Sequence, residues 1–152
     1  MIQLNSNKIW KIITFFGWPW IVILILLILF LTNFDQQVAF VLILSLFLED
    51  LIGVAIKALF YKPRPKPQNF SNFLQKIDAW SFPSIHTSRS FVIAITSCLF
   101  LPIFECIFFV ILAWLIAYSR IHLQRHFWID ILWWAVIAIF SILVATNIFA
   151  LI

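Results

Sequence analysis

The chain has 152 residues, of which 64% are hydrophobic, 18% aromatic and only 11% charged, against about 45 to 50% apolar and about 25% charged in a soluble domain. A water-soluble monomer of this length cannot hide so much apolar surface in one core, which excludes that class. The net charge is +4 and there are two glycines in the whole chain; with long Leu, Ile and Phe runs lacking polar/apolar alternation, a transmembrane β-barrel is excluded too.

What remains is an all-α fold, a polytopic transmembrane helical bundle. About 20 residues rising 1.5 Å each cross a ~30 Å hydrocarbon slab. The length therefore holds about five spans in a single domain, residues 1–152. Residues 6–16 read as a short interfacial helix carrying Lys8 and Lys11. The first span is expected from Gly17 to Asn33, opened by Trp18-Pro19-Trp20: Pro suits a first helical turn and the indoles suit the membrane interface. Its apolar stretch is too long for a cleavable signal peptide. A polar turn, Asn33 to Gln36, leads into a second span from about Gln37 to Tyr61, ended by Pro63, Pro65 and Pro67. Lys62 to Phe82 is the long polar stretch, too charged for lipid and expected in water or among headgroups. A third span runs from Pro83-Ser84 to about Leu101, a turn follows at Pro102, and a fourth ends near Ser119. The fifth covers about His126 to Ala150. Cys98 and Cys106 fall in or near spans and read as small buried hydrophobes rather than a disulfide framework.

Five spans bring residues 57–89 and 119–130 to one side of the membrane, so the unusual polar residues converge there. All ten Lys and Arg also fall on that side: Lys8 and Lys11; Lys57, Lys62, Arg64, Lys66, Lys76 and Arg89; Arg120 and Arg125. Lys57 and Arg64 are seven apart across a helix end, so an ammonium and a guanidinium close on one anion. Ser84, Ile85 and His86 open a helix, whose free N–H groups and positive dipole end favour an anion. His126 and Asp130 are i and i+4, so on a helix the carboxylate holds the imidazole N–H and fixes its tautomer. Together these are the parts of phosphoryl transfer. His126 attacks phosphorus, Lys57, Arg64 and Arg120 neutralise the equatorial oxygens in place of a metal, and His86 protonates the leaving oxygen before water resolves the phosphohistidine.

Lys57 with Arg64-Pro65 after six residues, Pro83-Ser84-Ile85-His86, and Ser119-Arg120 followed by His126 and Asp130 resemble the three signature motifs of the type 2 phosphatidic acid phosphatase superfamily, which holds membrane lipid phosphatases and soluble vanadate haloperoxidases. The resemblance covers roughly residues 50–130. It implies phosphate binding by Lys57, Arg64, Ser84 and Arg120, His86 as general acid, His126 as nucleophile and Asp130 as its orienter, and no cofactor. The family has Gly where this chain has Ile85, and its six-helix core is here one span short. The Ile85 amide is still expected to reach the phosphate from the helix start.

The expected function is hydrolysis of a lipid phosphate monoester or pyrophosphate within the bilayer, with no nucleic acid as partner. Phosphatidic acid, phosphatidylglycerophosphate, undecaprenyl pyrophosphate and lipid A 1-phosphate are the candidates that the resemblance supplies. Lys62, Lys66 and Lys76 hint at a head with several negative charges, favouring the last two. The expected location is a bacterial inner membrane with the site facing the periplasm, although the positive-inside rule would put the basic face in the cytoplasm.

Two alternatives compete. One is a non-catalytic lipid-binding or transporter subunit whose basic face holds anionic headgroups. The other is a metal enzyme built on His122 and His126, which with Asp130 form an i, i+4, i+8 ladder. Glu49 and Asp50 lie inside the second span, where carboxylates are expensive; Asp50 shares a helix face with Lys57, which suits a pairing or proton-relay role and equally a protonated, hydrogen-bonded structural acid. Trp133 and Trp134 read as packing and lipid-facing residues.

Overall fold

The computed structural model describes residues 6–17, 24, 35–60, 62–66, 81–82 and 84–152. Among them run five helices: α1 (Ser6–Phe15), α2 (Gln36–Leu59), α3 (Ile85–Phe100), α4 (Ile103–His122) and α5 (Trp128–Phe149). Their ends have local causes. The Asp35 side chain accepts from the Gln37 N–H at 2.7 Å and caps α2, which stops ahead of Pro63 and Pro65. Pro102 separates α3 from α4. Asp130, in the first turn of α5, turns its carboxylate back to accept from the Phe127 N–H at 2.9 Å.

Helix α1 is the expected interfacial helix, and α2, α4 and α5 are long and apolar enough to cross a membrane. Helix α3 stands where the third span was expected, but its 16 residues make about 24 Å, short of the ~30 Å slab, and it is not among the helices long enough to cross. The first expected span lies outside the described residues except for Gly17 and Leu24, as do Pro67, Lys76 and Pro83.

Helix α3 packs against α2, α4 and α5; α2 packs on α5 and α1 on α4. The core cluster joins Val41, Leu42 and Leu46 of α2 to Val92 of α3 and to Ala138, Ile142 and Ala145 of α5. Because α5 is apolar nearly all round, polarity does not choose its inner face. Ile131, Trp134, Ile137, Ala138, Ser141, Ile142 and Ala145 face inward at helical spacing, while Leu132, Val136, Phe140 and Leu143 are more than half exposed. Lipid tails are as apolar as Leu, so close packing of large residues beside small ones, rather than water avoidance, selects the interface. Trp134 is fully buried and Trp133 is half exposed, one packing and one facing outward.

One expectation is corrected, and one acid left open gains a partner. Cys98 and Cys106 form a disulfide between the last turn of α3 and the first of α4. The turn at Pro102 brings their Cα atoms to 4.4 Å, within bonding range, and Cys98 is exposed rather than buried. Asp50 is bound by a side chain of the next helix. Arg89 of α3 donates to both its oxygens, Nη2 at 2.7 and 2.9 Å and Nε at 3.1 Å, with Oε1 of the buried Glu49 at 3.7 Å from Nε. The guanidinium fork fits a carboxylate in two places at once, which an ammonium cannot do.

Alkylation of the denatured, unreduced protein is expected to leave both cysteines unmodified by mass spectrometry, and to modify both after reduction. Labelling before reduction would contradict the bond.

Candidate active site

The ends of α2 and α4 and the starts of α3 and α5 meet at one end of the bundle. Lys57 lies in the last turn of α2, and Arg64 in the segment after it. Ser84 is the N-cap of α3 and Ile85 its first residue. Arg120 lies in the last turn of α4 and Asp130 in the first of α5. Lys57, Arg64, Ser84, Arg120, His126 and Asp130 are all buried, and His86 is half-buried. The charges of Arg120, Arg64 and Lys57 act together on His126, and the same three act on His86. The two imidazoles therefore lie within reach of the same three positive charges.

The loop between α4 and α5 is folded to present His126. Helix α4 ends at His122, and Gln124 takes the left-handed conformation at φ 54°, which costs a residue with a side chain about 1–2 kcal/mol. Two hydrogen bonds hold the bend: the Arg120 carbonyl accepts from the Arg125 and His126 N–H groups at 2.9 and 3.3 Å. The Gln124 carbonyl accepts from the Lys66 N–H at 3.1 Å, which ties this loop to the segment that carries Arg64.

His126 departs from its expected orienter. It precedes α5 instead of lying in it, so Asp130 is not one helical turn above the ring, and its Oδ2 stands 4.0 Å from Nδ1. The Ser81 carbonyl, 2.6 Å away, takes that position. A carbonyl only accepts, so Nδ1 carries the hydrogen and Nε2 keeps its lone pair. Asp130 acts one step removed: it accepts from the Ser81 hydroxyl and from Lys62, while the Ser81 N–H donates to the Lys62 carbonyl at 2.7 Å. Arg120 Nη2 faces Nε2 at 3.4 Å.

Lys62, expected at the headgroups, is thus bound inside the site. Ser84 turns its hydroxyl to that of Thr87 at 2.9 Å. The helix break also dissolves the His122, His126, Asp130 ladder: His122 is exposed and lies against Trp10, ring centroids 5.1 Å apart. Among the described residues no three His, Cys, Asp or Glu side chains are gathered as a metal site. Sequence reasoning missed Ser81, because a main-chain acceptor leaves no mark in the choice of side chain, and it missed the Lys62 pairing because that lysine sits among other loop cations.

Burial, and then the charges of Arg120, Arg64 and Lys57, hold His126 well below the usual imidazole range, against the smaller opposing pull of the Ser81 carbonyl. The ring is thus expected to stay neutral through pH 6.5 and below in ¹⁵N-imidazole NMR titration. Lys57→Met removes one repelling charge, so the midpoint is expected to move up. A wild-type midpoint at or above 6.5, or a downward shift in the variant, would refute this account.

Residues 38–151 match the family model of the PAP2 superfamily. No curated protein matches the chain closely enough to count as a relative. Among solved structures the chain is similar to Aquifex aeolicus LpxE, with a TM-score of 0.80 and 24% identity over 95% of this chain and 87% of that one. It is also similar to a transmembrane PAP2-type phosphatidylglycerolphosphate phosphatase from Bacillus subtilis, with a TM-score of 0.74 and 20% identity over 100% of this chain and 80% of that one. At such identities the two likenesses speak for the fold, and the match to the family model covers three quarters of the chain: this all-helical membrane protein belongs to the PAP2 superfamily of phosphatases.

Proposed function

We propose that the protein hydrolyses a phosphate monoester or pyrophosphate from a lipid head, through a phosphohistidine and without a metal. The observation that carries this reading is the Ser81 carbonyl 2.6 Å from His126 Nδ1, which places the hydrogen there and leaves the Nε2 lone pair beside Arg120 and under the charges of Lys57 and Arg64. Nε2 bonds to phosphorus as the ester or anhydride oxygen leaves, and His86, protonated once the phosphate dianion has offset the surrounding cations, gives that oxygen its proton. Nδ1–H, now on a cationic ring, is stabilised by the Ser81 carbonyl and by Asp130 at 4.0 Å. Water then attacks phosphorus and passes a proton to His86, which releases phosphate and restores both rings. Lys57, Arg64 and Arg120 neutralise the equatorial oxygens, with Ser84 and the Ile85 amide at the start of α3.

The polar site opens among apolar helix faces, so the acyl chains of a substrate remain in the bilayer while its head reaches the pocket. The similar Bacillus subtilis protein is a phosphatidylglycerolphosphate phosphatase, which adds to the case for that lipid. Engagement of Lys62 with Asp130 removes one of the three cations that favoured undecaprenyl pyrophosphate or lipid A.

We place the site on the periplasmic side of a bacterial inner membrane. The positive-inside rule counts loop charges, and five of the cations on this face are engaged in the bundle: Lys57, Arg64 and Arg120 act on His126, Lys62 binds Asp130 and Arg89 binds Asp50. The disulfide favours the opposite reading, because it lies at the far end of α3 and α4 and such bonds persist in oxidising compartments. A cysteine introduced at the exposed Lys66 in a Cys98→Ser, Cys106→Ser background decides. Labelling by an impermeant maleimide in intact cells supports a periplasmic site, and labelling only after lysis overturns it.

Phosphate release from a panel of phosphatidic acid, phosphatidylglycerophosphate, undecaprenyl pyrophosphate and lipid A is expected in detergent, insensitive to chelator, inhibited by vanadate and abolished in His126→Ala. Arg64→Ala and Arg120→Ala are each expected to lower kcat/KM by at least ~100-fold, the scale of one preorganised transition-state donor. Loss with chelator supports the metal enzyme, and no release from any lipid supports the binding subunit.

A further inference from the structure

Helix α1 lies outside the stretch that the family model matches, and none of the three motifs includes it, yet it reaches the pocket twice. The Thr14 hydroxyl, buried in the last turn of α1, accepts from Arg120 Nη1 at 3.0 Å. Arg120 is thus held at both ends of its fork, with Nη1 on α1 and Nη2 on Nε2 of His126. Three residues on, Gly17 closes the turn after α1, its N–H donating to the Thr14 carbonyl at 3.1 Å. A Cβ placed on Gly17 would stand 3.2 Å from the His86 Cβ, 3.2 Å from the His86 carbonyl oxygen and 3.2 Å from Ile116 of α4. A side chain here would press on the helix turn that carries His86, so glycine suits this close approach.

The outer face of α1 looks the other way. Lys8, Lys11, Ile9, Ile12 and Phe15 are exposed, the mixture of basic and apolar groups that seats a helix in the headgroup layer. Trp10 packs on Tyr118 and His122 of α4, with ring centroids at 5.0 and 5.1 Å, which fixes the helix over the end of α4 that carries Arg120.

We propose that α1 is a wall of the active site, with Thr14 as a positioning residue for Arg120 and Gly17 as the close-approach point against His86, so that the seating of α1 at the membrane surface sets the aim of the phosphate-binding guanidinium. This deepens the phosphatase reading and rests on it. A free guanidinium on a long stem samples many rotamers, and a neutral acceptor at one nitrogen selects one that keeps the other on Nε2 without cancelling its charge.

The test compares wild type with Thr14→Val, which keeps the shape and removes the acceptor, and Thr14→Ser, which keeps the acceptor. Initial rates on the best lipid phosphate of the panel and inhibition by vanadate are measured in detergent. Thr14→Val is expected to lower kcat about fivefold to tenfold, the scale of one lost hydrogen bond, with KM little changed and vanadate inhibition weakened by a similar factor. Thr14→Ser is expected to restore both. A Thr14→Val enzyme with wild-type kcat and wild-type vanadate inhibition overturns the proposal while leaving the phosphatase reading intact. A loss in Thr14→Val that Thr14→Ser fails to rescue overturns it as well, because the hydroxyl would then not be the cause. Wild-type protein that releases no phosphate from any lipid overturns the underlying reading instead.

Discussion

Lys57, Arg64 and Arg120 are each less than a tenth exposed, and all three act on the ring of His126. Bringing like charges together away from bulk water works against folding unless the surrounding structure holds them there. Four helix ends, the Thr14 hydroxyl and the hydrogen-bonded bend at Gln124 supply that hold. The result is a cluster of positive charge around a neutral imidazole, which suits a ligand that arrives as a dianion. It also explains why the polar residues sit at helix ends. There the backbone leaves the regular helix, and main-chain groups such as the Ser81 carbonyl become free to serve as acceptors.

Helix α3 carries His86 and is the shortest of the four helices that converge at the site. It is tied near both ends: Arg89, one turn beyond His86, is clamped to Asp50 of α2, and Cys98 is bonded to Cys106 of α4. Between those ties it packs into the bundle, with Val92 in one core cluster with Val41, Leu42 and Leu46 of α2 and Ala138, Ile142 and Ala145 of α5. Close packing leaves little room for sliding. His86 and His126 thus keep their relation although they stand on different elements.

The path from His126 to Asp130 shows how local spacing misleads. An i, i+4 relation places two side chains together only on a helix, and the helix begins two residues after His126. The residues converge as expected, and the immediate partner is different: Ser81 contributes its carbonyl, and Asp130 and Lys62 hold Ser81. Lys62 illustrates the same limit. One lysine in a run of loop cations looks like the next, and only the folded chain distinguishes the one that reaches Asp130.

Membrane class, helical architecture and the boundaries of α2, α4 and α5 to within about two or three residues were legible from composition, apolar run length and proline positions, because these act through local physics: hydrocarbon thickness, caps and the missing proline N–H. The cluster of Lys57, Arg64, Ser84, His86, Arg120, His126 and Asp130 was legible because rare polar residues in an apolar chain have few places to go. The tertiary structure decided everything that depends on distance between segments: Thr14 on Arg120, Arg89 on Asp50, the bonded cysteines across the Pro102 turn, and the Ser81 carbonyl on His126. Such contacts join residues up to 106 positions apart or use backbone atoms that every residue shares, and neither leaves a pattern along the chain.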